Sequence, residues 1–272
     1  MMATNLYRFL VVVFILILNA SCSYVKYKKS PPEIFSQVRN TLIVDFCFGP
    51  EGDDESKMCG RTILDGQVSS GFFVHNNATN SFVLTAGHIC DFSTEFLKER
   101  FSTGIPPGFI VKDLSIVAKI FKVVDMNYNE YNARLVDYET EYSDLCLLET
   151  ERTNNPVVSL SDPSLVPGDP VRMYSAPLGA THPGVTIIID GIYSGMTLDP
   201  KITEYPILII TDGPVVPGMS GSAILDFQGN LAGLVFATFS SFPDDGYGIP
   251  IQSIRYFLLR NIDTLLGSKE QP

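Results

Sequence analysis

The feature that most constrains this chain is its punctuation. From residue 41 onward, short runs of β-branched and aromatic residues alternate with polar or glycine-rich turns. The runs are Thr41–Phe48, Gly71–His75, Ser81–Thr85, Leu114–Val124, Ala133–Tyr138, Leu145–Leu148, Val171–Ser175, Val185–Ile192, Ile207–Thr211, Ala223–Phe227 and Leu231–Phe239. Side chains branched at Cβ fit a pleated surface, so each run predicts a strand. Many short strands joined by short turns make a barrel or sandwich, because a parallel sheet would need a crossover helix after each strand. Two segments depart from the pattern. Ser93–Phe101 predicts a short helix. Ile251–Leu266 places Ile254, Phe257, Leu258, Ile262, Leu265 and Leu266 at the spacing of an amphipathic helix on a core. Turn residues are densest at Asn154-Asn155-Pro156, Asp162-Pro163 and Pro167-Gly168-Asp169-Pro170, which sets a division between two halves there.

With 272 residues, 45% of them hydrophobic and 18% charged, the chain has enough apolar surface for a large core. A net charge of −11, with no basic run outside residues 26–29, excludes nucleic acid as the main partner. Three scattered histidines and no cysteine pair at ligand spacing leave nothing to build a metal site on, and no cofactor is expected. Asp125-x-Asn127-x-Asn129 begins like a calcium loop but lacks its glycine and closing glutamate, so it reads as a solvated loop.

Residues 1–21 read as a secretory signal peptide: Arg8, then the apolar run Phe9–Leu18, then Asn19-Ala20-Ser21 before Cys22. The run is short for a membrane span. Cys22 is also a candidate lipidation site, although Asn19 stands where a bacterial lipoprotein signal carries an aliphatic residue. An uncleaved anchor flanked by Lys26, Lys28 and Lys29 is the alternative, so membrane attachment through the N-terminus stays open. Residues 22–35 form a linker containing Ser30-Pro31-Pro32.

The chemistry concentrates in Thr211–Ala223, read T-D-G-P-V-V-P-G-M-S-G-S-A. Ser220 stands on a glycine-flanked turn, where the N–H groups of Gly218 and Ser220 can converge on an oxyanion. By itself this motif also fits an ordinary inter-strand turn, so a base and an orienting acid are needed. His75 and His182 lie beside turn residues and read as solvated. His88 follows the apolar run Phe82-Val83-Leu84-Thr85-Ala86-Gly87, which delivers an imidazole onto a turn. Asp144 heads Leu145-Cys146-Leu147-Leu148, a run apolar on both faces, and a buried carboxylate there needs a hydrogen-bond donor. Asp137, Glu139 and Glu141 alternate with polar neighbours and read as solvated. Four cysteines follow Cys22. Cys47 and Cys59 flank an acidic loop, while Cys90 and Cys146 lie just after His88 and Asp144. Three pairings exist, free thiols are the alternative for the second pair, and the sequence does not choose among them.

The order His88, Asp144, Ser220 resembles the chymotrypsin-like serine proteases, whose mechanism is well established for that order. Within them the chain looks most like the bacterial HtrA-type and related trypsin-like peptidases. Four blocks carry the likeness: Ser70-Gly71-Phe72-Phe73-Val74, Val83-Leu84-Thr85-Ala86-Gly87-His88, Ser143-Asp144-Leu145-Cys146-Leu147-Leu148, and Thr211-Asp212 through Pro217-Gly218-Met219-Ser220-Gly221-Ser222. A fifth, Gly246-Tyr247-Gly248-Ile249-Pro250-Ile251, is similar to the last strand of HtrA-type domains.

The resemblance implies an all-β fold of two six-stranded antiparallel barrels with a C-terminal helix. Residues 36–155 would form the barrel carrying His88 and Asp144, and residues 156–268 the one carrying Ser220 plus the helix. It implies a serine endopeptidase acting on protein or peptide substrates through an acyl-enzyme, with Gly218 and Ser220 as oxyanion hole. The departures are informative. Met219 stands where digestive relatives carry an acidic residue that pairs with a new N-terminus, so activation by that ion pair is not expected. Ser222 replaces the commoner glycine. The specificity pocket falls at Pro214, Phe236 and Thr238, within an apolar wall Leu234–Thr238, which implies an apolar P1 preference. A catalytically silent binding or chaperone-like module on the same fold is the alternative. Oligomeric state has no signature in the sequence.

Overall fold

The computed structural model describes residues 35–52, 55–91, 97–98, 107–160, 165–175, 186–198, 206–238 and 244–267. The leader, Cys22, His182 and nearly all of the linker lie outside them. Of the helix expected at Ser93–Phe101 only Leu97 and Lys98 are described; both are helical and Leu97 is buried.

Each run overlaps a strand in its described residues, Val185 and Phe239 lying outside them, and the glycine-rich Gly246 block supplies a twelfth. The first six are β1 (Phe35–Pro50), β2 (Met58–Asn76), β3 (Asn80–Ala86), β4 (Phe109–Asp125), β5 (Glu130–Glu139) and β6 (Leu145–Glu151). They close a barrel in the order β1-β2-β3-β6-β5-β4. The next six are β7 (Pro170–Ser175), β8 (Ile187–Thr197), β9 (Ile207–Thr211), β10 (Ala223–Leu225), β11 (Leu231–Thr238) and β12 (Gly246–Pro250), closed in the same relative order. All pairings between these strands are antiparallel.

The two runs that lack alternation explain where the barrel's centre lies. From Ser81 to Ala86 in β3, and from Leu145 to Thr150 in β6, every residue is buried. These strands are ladder neighbours, with Ala86 opposite Leu145. A residue just after β3 and one just before β6 therefore meet at the same end of the barrel. The outer half of β4 alternates between exposed and half-buried side chains, as a strand facing water on one side should. One continuous apolar cluster then runs from Phe72, Phe82 and Leu147 in the first barrel to Leu234 and Ile249 in the second.

The C-terminal helix is shorter than its pattern. Helix α1 (Ile251–Arg260) buries Ile251, Ile254, Phe257 and Leu258, and a separate turn α2 (Ile262–Leu265) buries Leu265. Between them Asn261 leaves helical geometry at φ −103 and ψ 15. Its side-chain amide donates to Phe257 O at 3.0 Å and to Asp137 Oδ2 at 2.9 Å. The break takes Ile262 and Leu266 off the buried face, leaving them 41% and 61% exposed.

Three sequence readings change on the same ground: polar side chains in strands found partners. Asp137 and Glu139 on β5 are not simply solvated, because Arg260 of α1 donates to both, at 2.8 and 3.4 Å, and clamps the helix to the first barrel. His75 is a half-buried member of β2, its ring 6.0 Å from that of Phe82. Asp125 is only 2% exposed. Its carboxylate accepts from the backbone of Asn127 and Asn129, the amide of Asn129, the hydroxyl of Tyr131 and the amide of Asn155, all within 3.2 Å. The Asp-x-Asn-x-Asn spacing is a turn built on one buried acceptor: Asn127 and Asn129 are exposed, as a solvated loop requires, and Asp125 alone is not. Both disulfides form, Cys47–Cys59 across β1 and β2 and Cys90–Cys146 between the segment after β3 and β6.

Candidate active site

Strand β3 ends at Ala86, and a single 3-10 turn, Gly87–Ile89, turns His88 outward while burying Gly87 and Ile89. The turn is held by Cys90 N–H donating to Gly87 O at 2.8 Å and by the Asn40 amide of β1 donating to Ile89 O at 2.8 Å. Glycine is required at 87: a Cβ there would lie 2.4 Å from Glu139 O and 2.8 Å from Leu145 N. That closeness lets the turn sit directly on the residue before β6.

The residue before β6 is Asp144, held at φ 41 with its side chain only 8% exposed. Its Oδ1 accepts the backbone N–H of His88 at 2.7 Å and its Oδ2 lies 2.9 Å from His88 Nδ1. An ionised carboxylate only accepts, so it fixes the proton on Nδ1 and leaves Nε2 as the nitrogen that can take one. The imidazole itself remains accessible, with 42% of its side chain exposed. The Cys90–Cys146 disulfide joins the same two segments two residues further along each.

Ser220 lies between β9 and β10, the third and fourth strands of the second barrel, just as His88 lies between the third and fourth of the first. The turn reaches across the barrel interface. Ser70 N–H of β2 donates to Ser220 O at 2.9 Å and Ser70 Oγ donates to Gly218 O at 2.9 Å. Gly221, at φ 86, packs so closely that a Cβ would lie 2.0 Å from Ser70 O and 2.5 Å from Thr85 Oγ1. Thr85 is three residues before His88 and pairs with Cys146, two after Asp144. Below the turn Met219 is fully buried in the second barrel's core, its sulfur 3.3 Å from Val216 N. Ser222 is buried with its hydroxyl 2.6 Å from that of Ser175.

Within residues 218–222 three of the five backbone N–H groups have acceptors. The N–H groups of Met219, Gly221 and Ser222 donate to the carbonyls of Val216, Val235 and Met219. Among the described residues the N–H groups of Gly218 and Ser220 have no acceptor. Two free donors, one on either side of the bonded Met219 N–H, are a donor set that an oxyanion can use. Ser220 Oγ donates to Phe236 O at 3.4 Å, and no hydrogen bond joins it to His88.

A family model described as trypsin-like peptidase domain matches residues 69–234, more than half of the chain, and spans His88, Asp144 and Ser220. The chain belongs to the trypsin-like peptidases. It is a serine protease by family. Solved structures with the same fold include an HtrA-type protease, an AlgW variant, with decapeptide, at 20% identity and TM-score 0.61, covering 89% of this chain and 67% of that one. A serine endoprotease from Yersinia pestis follows at 18% identity and TM-score 0.56, covering 88% and 66%. The AlgW variant with tripeptide has 19% identity and TM-score 0.57, covering 88% and 63%. At these identities the likeness concerns the fold, and this peptidase spans about two thirds of the length of those chains. No curated protein matches it.

The pocket residues named from sequence are placed unevenly. Pro214 and Thr238 are exposed and Phe236 is half-buried, with its ring 6.1 Å from that of Tyr247. Val215, beside Pro214, packs on Gly246, which pairs with Thr238. Leu234 and Val235 are fully buried in the core, so of the expected wall only Phe236–Thr238 reach the surface. Among the described residues no group of three or more His, Cys, Asp or Glu could hold a metal, and no helix is long and apolar enough to cross a membrane. Sequence reasoning missed Ser70 as a bridge between the barrels. Its signal was the Ser69-Ser70 pair inside an apolar strand, since buried hydroxyls take partners.

Proposed function

We propose that the chain is an exported serine endopeptidase. Ser220 Oγ attacks the scissile carbonyl while His88 Nε2 takes its proton, and the N–H groups of Gly218 and Ser220 receive the oxyanion. His88 then protonates the leaving amine, and water, deprotonated by His88, releases the acyl group. Asp144 holds the tautomer and steadies the imidazolium. The observation that carries this reading is the two-point grip of Asp144 on His88, beside a serine turn with two free N–H donors. The burial of Met219 supports a site that needs no new N-terminus to form.

Two disulfides and the apolar leader favour an oxidising compartment outside the cytosol, with Cys22 as candidate lipid anchor. Peptides bound in two neighbouring structures support peptide substrates. The uncharged set Pro214, Phe236 and Thr238 favours an apolar P1 side chain.

Internally quenched peptides differing only at P1 test the assignment. Val, Ala or Leu at P1 should be cleaved with kcat/KM roughly 10-fold or more above Arg or Lys, the scale that apolar pocket contacts supply. Preferred cleavage after Arg or Lys would contradict the pocket. One observation favours a silent module instead, namely that Ser220 donates to Phe236 O rather than to His88. The grip of Asp144 on His88 and the free N–H groups of Gly218 and Ser220 outweigh it.

A further inference from the structure

The residue that links the two halves of the site is Ser70, and its side chain acts on the peptide between the two oxyanion donors. Gly218 sits at φ 90, a conformation in which glycine alone turns freely, so nothing in its own geometry fixes how the adjoining peptides point. The Gly218–Met219 peptide is instead held from both sides. Its carbonyl accepts from Ser70 Oγ at 2.9 Å and its N–H donates to Val216 O at 3.1 Å. The peptides on either side carry the free N–H groups of Gly218 and Ser220. Ser70 is itself immobile: it is fully buried, its N–H donates to Ser220 O at 2.9 Å, and its carbonyl accepts from Thr85 Oγ1 at 2.7 Å.

We infer that the Ser70 hydroxyl, supplied by the first barrel, is the positioning group that sets the oxyanion hole of the second. The inference rests on the peptidase reading given above. Ser70 touches no reacting atom; it acts through the Gly218 carbonyl. Without it that carbonyl has no partner from the first barrel, and the peptide can rotate about Gly218, swinging a donor away from the oxyanion. The cost falls on the transition state, where charge sits on the oxygen, and spares ground-state binding.

The test compares wild type, Ser70→Ala and Ser69→Ala. Ser69 is an equally buried neighbouring serine whose hydroxyl meets only Thr85 Oγ1, at 3.3 Å. Removing an oxyanion donor outright costs about 10²–10³ in kcat, so loss of its support should cost ~10–100-fold. Ser70→Ala should show that loss in kcat with KM within about twofold. Its affinity for a peptide boronate should fall in parallel, and its affinity for the cleaved product peptide should hold. Ser69→Ala should melt like Ser70→Ala and keep wild-type kcat. Should Ser70→Ala not fold, Ser70→Cys, of similar shape and a weaker donor, carries the same test. An active wild type with unchanged kcat and boronate affinity in the Ser70 variant overturns the inference alone. A folded wild type that neither cleaves peptides nor binds the boronate overturns the peptidase reading and the inference with it.

Discussion

Asp125 is a carboxylate used as a bolt rather than as a reagent. Burial works to raise its pKa, but the side-chain and backbone bonds from Asn129, with those from Asn155 and Tyr131, outweigh burial and leave it below the usual value. The same contact acts on Tyr131, whose phenol is pushed up to about 12, first by burial and then by the Asp125 bond. The signs follow from which form the fold prefers. Ionised Asp125 contributes stability that is full above its unfolded pKa of about 3.9 and is lost as pH falls through the lowered folded value. Neutral Tyr131 contributes stability that is full below 10.0 and is lost as pH rises from there towards about 12. Denaturant titrations should therefore show wild type losing stability on both limbs. Tyr131→Phe should cost about 1 kcal/mol at pH 7 and flatten the alkaline limb above about pH 10. An alkaline limb unchanged in Tyr131→Phe would show that the phenol is not the group responsible. The wider point at this scale is that Asp125 and Asp144 are both buried, bonded aspartates beside turns, and only the partner separates them: amides for one, an imidazole with a free nitrogen for the other.

At the scale of elements, helix α1 shows what its pattern predicts and where it stops. Phe257 is 2% exposed and Tyr256, one residue earlier, 73%. Phe257→Ala should cost about 3–5 kcal/mol of unfolding free energy, and Tyr256→Ala under about 0.5 kcal/mol, both read from urea midpoints at unchanged slope. Equal losses would mean that the helix does not pack on the barrels by this face. The positions of the strands were legible because their signal is local: alternation for β4, unbroken burial for β3 and β6, and turn residues between them. The break at Asn261 was not, because it depends on Asp137, more than a hundred residues away, accepting the Asn261 amide. The pocket wall was misread for a related reason. Leu234 and Val235 look like Phe236 in sequence, and only closure of the barrel decides which of them faces inward.

At the scale of the molecule, two barrels of the same strand order each offer the loop after their third strand, one bearing His88 and the other Ser220. The register of β3 against β6 adds Asp144 to the first. Gly221 brings the second up against Ser70 and Thr85. As candidates, His88 and Asp144 could be singled out from sequence because each adjoins a run whose burial is readable, and Ser220 because glycines flank it. Ser70, which ties the two halves, left only the signal of a serine pair in an apolar strand, and its partner could not be read because the Gly218 carbonyl lies 148 residues away. The central claim is that these halves form one working nucleophile. It is tested most directly by fluorophosphonate labelling of the purified protein beside its Ser220→Ala and His88→Ala variants. The account predicts stoichiometric labelling of wild type at Ser220, none in Ser220→Ala, and labelling slowed by about 10³-fold or more in His88→Ala. A folded wild type that takes up no label, or one labelled equally in Ser220→Ala, would contradict it.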